Sequence, residues 1–113
     1  MLTESIEHDG VTYIARIGQS AQENWDLIDD SSQNDIWFHL SKFPSPHVVL
    51  QNTENISIKK IPKQLIVKCA DLCKYHSKYS SMTVTIIYTE IKNVTKADKT
   101  GAVHTKKTLE IVM

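Results

Sequence analysis

Four residues within thirteen positions carry side chains that suit acid–base or nucleophilic chemistry: Asp35, His39, Ser45 and His47. An acid, a base and a hydroxyl nucleophile are the components of a hydrolytic triad. Such a triad also needs backbone N–H groups beside the nucleophile to stabilise an oxyanion, and Ser45 is flanked by two prolines, which have no N–H. We therefore predict that this segment is not catalytic and that the protein is not an enzyme.

The same residue types suit a nucleic acid better. Imidazoles and hydroxyls bind phosphate and ribose, and exposed aromatic or histidine rings stack on unpaired bases. On a strand predicted for residues 36–40, Trp37 and Phe38 point to opposite faces, so we expect one of them to lie in the core. The alternative for His39 and His47 is that they cap loops or bond to backbone groups inside the fold.

Cys69, Cys73 and His76 form a C-x3-C-x2-H group on one face of a predicted helix, which superficially resembles a zinc site. Structural zinc takes four ligands, usually as two short-spaced pairs, and no second pair is present. Because the rest of this face is apolar, we predict that the cysteines are buried core residues, with no metal and no cofactor. Two cysteines make no disulfide framework, which favours a reducing, cytoplasmic compartment.

The charge of the chain is balanced overall but not along its length. Lys plus Arg equals Asp plus Glu at 13 each, so the total charge indicates no partner. Residues 1–40 have a net charge of −7, whereas residues 41–113 have a net charge of +7 and contain twelve lysines. A polarised surface can steer a polyanion to one side. The alternative is that folding interleaves the two halves and removes the asymmetry.

Lysines cluster at two places in the sequence, at Lys92, Lys96 and Lys99 and at Lys59, Lys60 and Lys63. The first cluster has Asn93 and Thr95 beside it, and amide and hydroxyl groups also donate to phosphate. A single lysine is more often an inert surface residue, so only their proximity in the fold would make a binding surface.

Local signals predict the elements that position these residues. Asp9-Gly10 is a two-residue turn signal within a β-hairpin over residues 5–18. The segment from Ser20 to Glu23 is a capping box, in which the serine hydroxyl accepts from the glutamate N–H and the glutamate carboxylate accepts from the serine N–H. The helix that follows is expected to end near Asp29.

A second helix is predicted from Lys63 to about Tyr79, with Pro62 at its start and an apolar face that includes both cysteines. Further strands are predicted at 36–40, 47–51, 83–91 and 102–112, and a turn at residues 42–46, where two prolines prevent ladder pairing. We therefore predict an α+β fold in which two helices pack on a mainly antiparallel mixed sheet of about six strands. Residues 1–113 are long enough for one domain.

No apolar run approaches the ~20 residues that a membrane helix needs, and the acidic first nine residues do not match a signal peptide. We expect no membrane segment.

Read together, these segments resemble the NFACT-R family, an RNA-binding domain found in ribosome-quality-control factors and as a stand-alone protein. The specific part of the resemblance is Asp35-Ile36-Trp37-Phe38-His39 with the later Ser45 and His47. The remaining matches are Ile17-Gly18, Glu23-Asn24, Leu27-Ile28, Val48-Val49-Leu50, Ala70, Tyr88-Thr89, Lys92-Asn93-Val94, Lys96 and Gly101-Ala102-Val103. Glu54-Asn55-Ile56 and Ile61-Pro62-Lys63 are similar to the stand-alone branch that often continues into a coiled coil.

The resemblance implies a non-catalytic module that binds structured RNA such as tRNA or rRNA, in translation or ribosome-associated quality control. The RNA-binding residues that it and the chemistry imply are His39, Ser45, His47, Lys92 and Lys96, with Lys42 assisting. A protein-interaction module and a DNA-binding module remain alternatives, because lysines that contact phosphates do not read the sugar.

One departure concerns the loop before the second histidine. The family usually has Pro-Gly-Ser-His where this chain has Pro44-Ser45-Pro46-His47, so a flexible loop is replaced by a stiffer one. A backbone contact between that glycine and a phosphate is therefore not carried over. Functions of a coiled-coil tail or of a separate N-terminal domain are not carried over either.

Overall fold

Six strands form one antiparallel sheet in the computed structural model, which describes residues 1–113. The chain has eight strands in all: β1 (Leu2–His8), β2 (Val11–Ile17), β3 (Ile36–Leu40), β4 (Val48–Leu50), β5 (Thr85–Glu90), β6 (Val94–Lys96), β7 (Val103–Thr105) and β8 (Leu109–Val112). The helices are α1 (Ala21–Asp29) and α2 (Lys63–Tyr75), with short 3-10 turns at Ile58–Lys60 and Ile91–Asn93. The sheet has the order β1-β2-β4-β3-β5-β8, and β6 and β7 form a separate hairpin. The predicted α+β fold is confirmed.

The central strand β3 has a core on both of its faces. Phe38 is fully buried on the face that packs against α2, and Trp37, only 1% exposed, points the other way and packs against Leu27 and Ile28 of α1. The expectation that only one of these two aromatic residues lies in the core is therefore wrong. Both aromatic residues are buried because the two helices cover opposite faces of the sheet, so both side-chain rows of β3 are enclosed.

Local turn and cap signals form largely as predicted. Asp9 and Gly10 both have positive φ, at 48° and 77°, as a type I′ turn requires. Ser20 Oγ accepts from the N–H of Glu23 at 3.1 Å, but the Glu23 carboxylate accepts from the N–H of Gln19 at 3.0 Å instead of from Ser20. That bond and the nearby amino terminus lower the pKa of Glu23. The serine half of the predicted capping box forms, and the glutamate half is replaced by the hydrogen bond from the Gln19 N–H.

Helix α2 ends at Tyr75, before the predicted end near Tyr79. The Ser77 hydroxyl donates to the carbonyl of Lys74 at 2.7 Å and accepts from the N–H of Tyr79 at 3.1 Å. These bonds compete with continued helix, since a serine side chain offers the backbone another set of partners. The chain therefore turns at residues 76–79.

The predicted closing strand at 102–112 is wrong as a single strand. Lys107 has a φ of 53°, and the chain bends there between β7 and β8. Strand β7 pairs with β6, whereas β8 pairs with β5 at the sheet edge. Thr89 Oγ1 donates to the Lys107 carbonyl at 3.1 Å, which ties the bend to the sheet. The β6–β7 hairpin is thereby free to fold over α1.

Candidate nucleic-acid interface

A groove of about 720 Å³ opens where loops from both halves of the chain meet. Its lining consists of residues 18–21, 44–47, 76–79 and 99–102 together with Asn24 and His39. The walls are therefore the start of α1, the loop before β4, the turn after α2 and the tip of the β6–β7 hairpin. We call this feature the histidine groove.

Two imidazoles form the floor of the histidine groove, and a buried indole supports them from below. The ring centroids of His39 and His47 lie 5.1 Å apart at an interplanar angle of 89°. Trp37 lies beneath both, stacked nearly parallel to His39 at 5.6 Å and edge-on to His47 at 5.2 Å. Because Trp37 is fixed in the core, it sets the orientation of both rings.

His47 is a buried residue with one nitrogen held inside the protein. It is 1% exposed, and its Nδ1 accepts from the Trp37 Nε1–H at 3.0 Å. An acceptor nitrogen carries no proton, so the neutral ring must carry its proton on Nε2. Burial, with a smaller contribution from His39, lowers the pKa of His47 to about 3.

His39 is partly buried and has the opposite arrangement of protons. Its Nδ1 lies 2.5 Å from the carbonyl oxygen of Leu40. A carbonyl can only accept, so Nδ1 is the protonated nitrogen and Nε2 of the neutral ring has a free lone pair. Burial lowers the pKa of His39, although the bond to Leu40 opposes that shift.

The backbone of His47 is held by the segment before α1. The Gly18 N–H donates to the His47 carbonyl at 2.9 Å, and the Asn24 side-chain oxygen accepts from the His47 N–H at 3.1 Å. A Cβ on Gly18 would overlap Asn24 Oδ1, so only glycine leaves room for this arrangement. Gly18 and Asn24, which belong to the resemblance noted in the sequence, therefore position the groove floor.

The hydroxyl of Ser45 is occupied by hydrogen bonds within the protein. It accepts from the Leu40 N–H at 3.1 Å and donates to the Pro46 carbonyl at 3.0 Å, so it does not bond to either imidazole. Cys73 lies behind this loop, and its thiol donates to the same Pro46 carbonyl at 3.3 Å. Burial raises the pKa of the Cys73 thiol to about 11, in line with the predicted core role.

Asp35 lies at the opposite end of β3 from the groove. Its two carboxylate oxygens accept from the N–H groups of Ser32 and Asn52, each at 2.9 Å. The aspartate therefore organises the loops that precede β3 and follow β4. The acid, the base and the hydroxyl singled out in the sequence are not hydrogen-bonded to one another.

The lysines that line the groove are not the three assigned to RNA binding from the sequence, although Lys99 belongs to the first lysine cluster. Lys78 and Lys99 line it, and none of its lining residues is a carboxylate. The predicted Lys92 lies 3.5 Å from a carboxylate oxygen of Glu90, outside the lining. The predicted Lys96 lies 2.6 Å from Asp29, with its ammonium 5.3 Å from the Trp25 ring centroid.

Lys42 is exposed on the loop after β3, two positions before the groove residue Pro44. The structure therefore brings together His39, Ser45 and His47 from the predicted set, and leaves Lys42, Lys92 and Lys96 outside the lining. His76 was seen in the sequence as part of the apolar face of α2, but it lines the groove instead.

The β6–β7 tip reaches the groove because it packs on the start of α1. Gly101 has a φ of 87°, and a Cβ there would lie 2.8 Å from the Cβ of Ala21. The Trp25 Nε1–H donates to the Ala102 carbonyl at 2.9 Å, which fixes the tip from the side. Lys99 enters the groove through this contact, and Gly101, two positions after it, is the type of residue that signals such a close approach in a sequence.

The fold and the groove define a known class of domain. Residues 2–111 match the NFACT protein RNA binding domain family, and the chain belongs to that family of RNA-binding domains. The resemblance seen in the sequence is confirmed, including its stand-alone branch. Neither α1 nor α2 has the length and apolar character that a membrane-spanning helix requires.

The chain is similar to coiled-coil domain-containing protein 25 of several organisms. It is 37% identical to the Mus musculus protein over 87 residues, which are 75% of this chain and 42% of the mouse protein. It is 33% identical to the Dictyostelium discoideum homolog over 86 residues, or 74% of this chain and 42% of that protein. The chain thus spans less than half the length of these relatives.

A solved structure has the same fold. It is the C-terminal part of the fibronectin/fibrinogen-binding protein from Streptococcus suis, with a TM-score of 0.81 and 22% sequence identity. The match covers 96% of this chain and 43% of that one.

Proposed function

We propose that the histidine groove binds structured RNA such as tRNA or rRNA, without catalysing a reaction on it. The observation that carries this proposal is the composition of the groove, which has two lysines and three histidines in its lining and no carboxylate. Ammonium groups neutralise phosphates, and imidazoles contact sugars and bases. The membership of the chain in a family of RNA-binding domains supports the same proposal.

Different residues have different roles in this proposal. Lys78, Lys99 and His39 contact the RNA, and Ser45 holds the loop whose far end carries His47. Lys42 extends the positive surface beyond the groove as an exposed phosphate contact. Lys92 and Lys96 bind RNA phosphates only if these displace the carboxylates of Glu90 and Asp29, so we assign the two lysines a smaller contribution to RNA affinity.

The cellular role that fits is in translation or ribosome-associated quality control, in the cytoplasm, with the ribosome as the wider partner. This role rests on the family resemblance. The match covers only 42% of the mouse relative, so the role refers to the module and not to a whole relative.

The test is a titration of the protein with a purified tRNA at several salt concentrations. With about four phosphate contacts, log K is expected to fall with log salt at a slope near −3 for single-stranded segments. Absence of binding at low salt, or an affinity that does not change with salt, would overturn the proposal.

A protein-interaction module is the second candidate, and one apolar feature favours it. A cavity of about 360 Å³ lies between the start of α2 and the edge strand β8, lined by Ile61, Ile66, Tyr88 and Leu109 among others. The unpaired edge of β8 lies beside it. Substituting Leu109→Lys changes this surface and is expected to leave tRNA affinity unchanged, whereas a loss of affinity would place the RNA on this side.

A further inference from the structure

The groove floor offers one fixed hydrogen-bond donor. Since Trp37 occupies Nδ1 of His47, the proton of the neutral ring is on Nε2. No protein acceptor bonds to that nitrogen, and Arg16 Nε is the one buried side-chain nitrogen or oxygen without a partner. The small exposed part of His47, 1% of the residue, therefore includes Nε2, and His47 is one of the groove-lining residues.

The floor also offers one fixed acceptor. Since Leu40 occupies the Nδ1–H of His39, the lone pair of the neutral ring is on Nε2. The protein supplies no donor to this nitrogen either, and His39 lines the same groove. Burial lowers the pKa of both rings, which keeps the lone pair of His39 available at neutral pH.

The two unpartnered nitrogens belong to neighbouring rings, with centroids 5.1 Å apart in an edge-to-face arrangement. A group that binds both must accept from His47 and donate to His39. A hydroxyl does both with a single oxygen atom. A phosphate oxygen only accepts, and a 2′-deoxyribose has no group at the corresponding position.

We infer that the paired Nε2 atoms of His39 and His47 recognise the ribose 2′-hydroxyl of a bound nucleotide, so that the groove selects RNA over DNA. This inference rests on the proposed function and adds the chemical group that the site reads. It also decides between RNA and DNA, which the lysines cannot do because they contact phosphate in both.

The experiment compares three oligonucleotides of one sequence: RNA, its 2′-fluoro analogue and DNA. Fluorine keeps the ribose pucker of RNA but cannot donate to His39. The wild-type protein is expected to bind RNA about three- to tenfold more tightly than the 2′-fluoro strand, the range for one hydrogen bond. DNA is expected to bind at least as weakly as the 2′-fluoro strand.

The His39→Phe variant keeps an aromatic ring on Trp37 but loses the acceptor. It is expected to bind RNA and the 2′-fluoro strand equally, because each change removes the same contact. His39→Gln restores an acceptor and is expected to recover part of the preference. His104→Phe, at an exposed histidine on β7 outside the groove lining, is the matched control and is expected to keep the full preference.

The outcomes separate this inference from the proposed function. Equal wild-type affinity for RNA and the 2′-fluoro strand overturns the inference while leaving RNA binding intact. A preference that persists in His39→Phe also overturns it, because the contact then lies elsewhere. Absence of RNA binding at low salt overturns the proposed function itself. A thermal unfolding curve for each variant confirms that the compared proteins are folded.

Discussion

The indole of Trp37 donates a hydrogen bond of 3.0 Å to Nδ1 of His47, and both residues are 1% exposed. Each partner would otherwise leave a polar atom unsatisfied inside the protein, which costs about 1–3 kcal/mol. The bond therefore has two effects. It stabilises the join between β3 and the segment before β4, and it fixes which nitrogen of His47 faces the groove.

Replacing Trp37 with phenylalanine tests this relationship. The variant loses the N–H donor and part of the indole volume, so we expect the free energy of unfolding to fall by about 2 kcal/mol or more. Urea denaturation followed by far-UV circular dichroism measures the change. A stability within ~0.5 kcal/mol of the wild type would contradict the structural role of the bond.

The titration of His47 gives a second prediction. An NMR titration of the imidazole protons is expected to show His47 neutral down to about pH 4, because burial lowers its pKa to about 3. A midpoint for His47 near the ordinary value of 6.5 would contradict the burial of the ring.

The same depressed pKa makes stability depend on pH. Between pH 6.5 and about 3 the unfolded chain binds a proton at His47 that the folded protein does not, so the free energy of unfolding falls as the pH is lowered. The slope from this one group approaches about 1.4 kcal/mol per pH unit. His39, whose pKa is also lowered, adds in the same direction. Urea denaturation at pH 7 and pH 5 measures the effect, and equal stability at both would contradict it.

Gly18→Ala is expected to destabilise the groove floor. The new Cβ would overlap the Asn24 oxygen that accepts from the His47 N–H, so either that bond or the helix start must move. We expect a loss of about 1–3 kcal/mol in the free energy of unfolding, together with weaker RNA binding. Urea denaturation and the tRNA titration measure the two effects.

Gly10→Ala is the matched control for Gly18→Ala. Gly10 has a φ of 77° and open space around it, so alanine there adds backbone strain without a clash near the groove. It is expected to lower stability by about 1–2 kcal/mol and to leave RNA affinity unchanged. If both variants weakened RNA binding equally, the specific role of Gly18 would be refuted.

The lysines give a prediction that separates the groove from the two predicted lysines that lie outside its lining. Replacing Lys78 and Lys99 with glutamine removes two groove cations, and we expect the slope of log K against log salt to become shallower by about 1.4. Replacing Lys92 and Lys96 instead is expected to change the slope less, because carboxylates already neutralise both. A larger change in slope for the Lys92 and Lys96 variant would show that the RNA binds along the surface around these two residues, outside the groove.

Features that depend on neighbours along the chain could be predicted well. The Asp9-Gly10 turn and the serine cap of α1 each require only a few consecutive residues, and both form. Where a group other than the expected one is the better partner, the local pattern fails. Glu23 bonds to Gln19 and the amino terminus, and the final predicted strand is divided because its halves pair with different strands.

The amino-acid sequence by itself determined the family, the two helices, the β-rich pattern and the presence of His39, Ser45 and His47 in one short segment, because these are properties of order and spacing. The tertiary structure alone decided which cations accompany them. Lys78 lies in the turn after α2, and Lys99 lies at the tip of the β6–β7 hairpin, which packs on the start of α1. The fold brings both residues to the lining of one groove. Folding also gave the two imidazoles opposite roles, since a buried indole and a backbone carbonyl each occupy one nitrogen and leave a donor beside an acceptor.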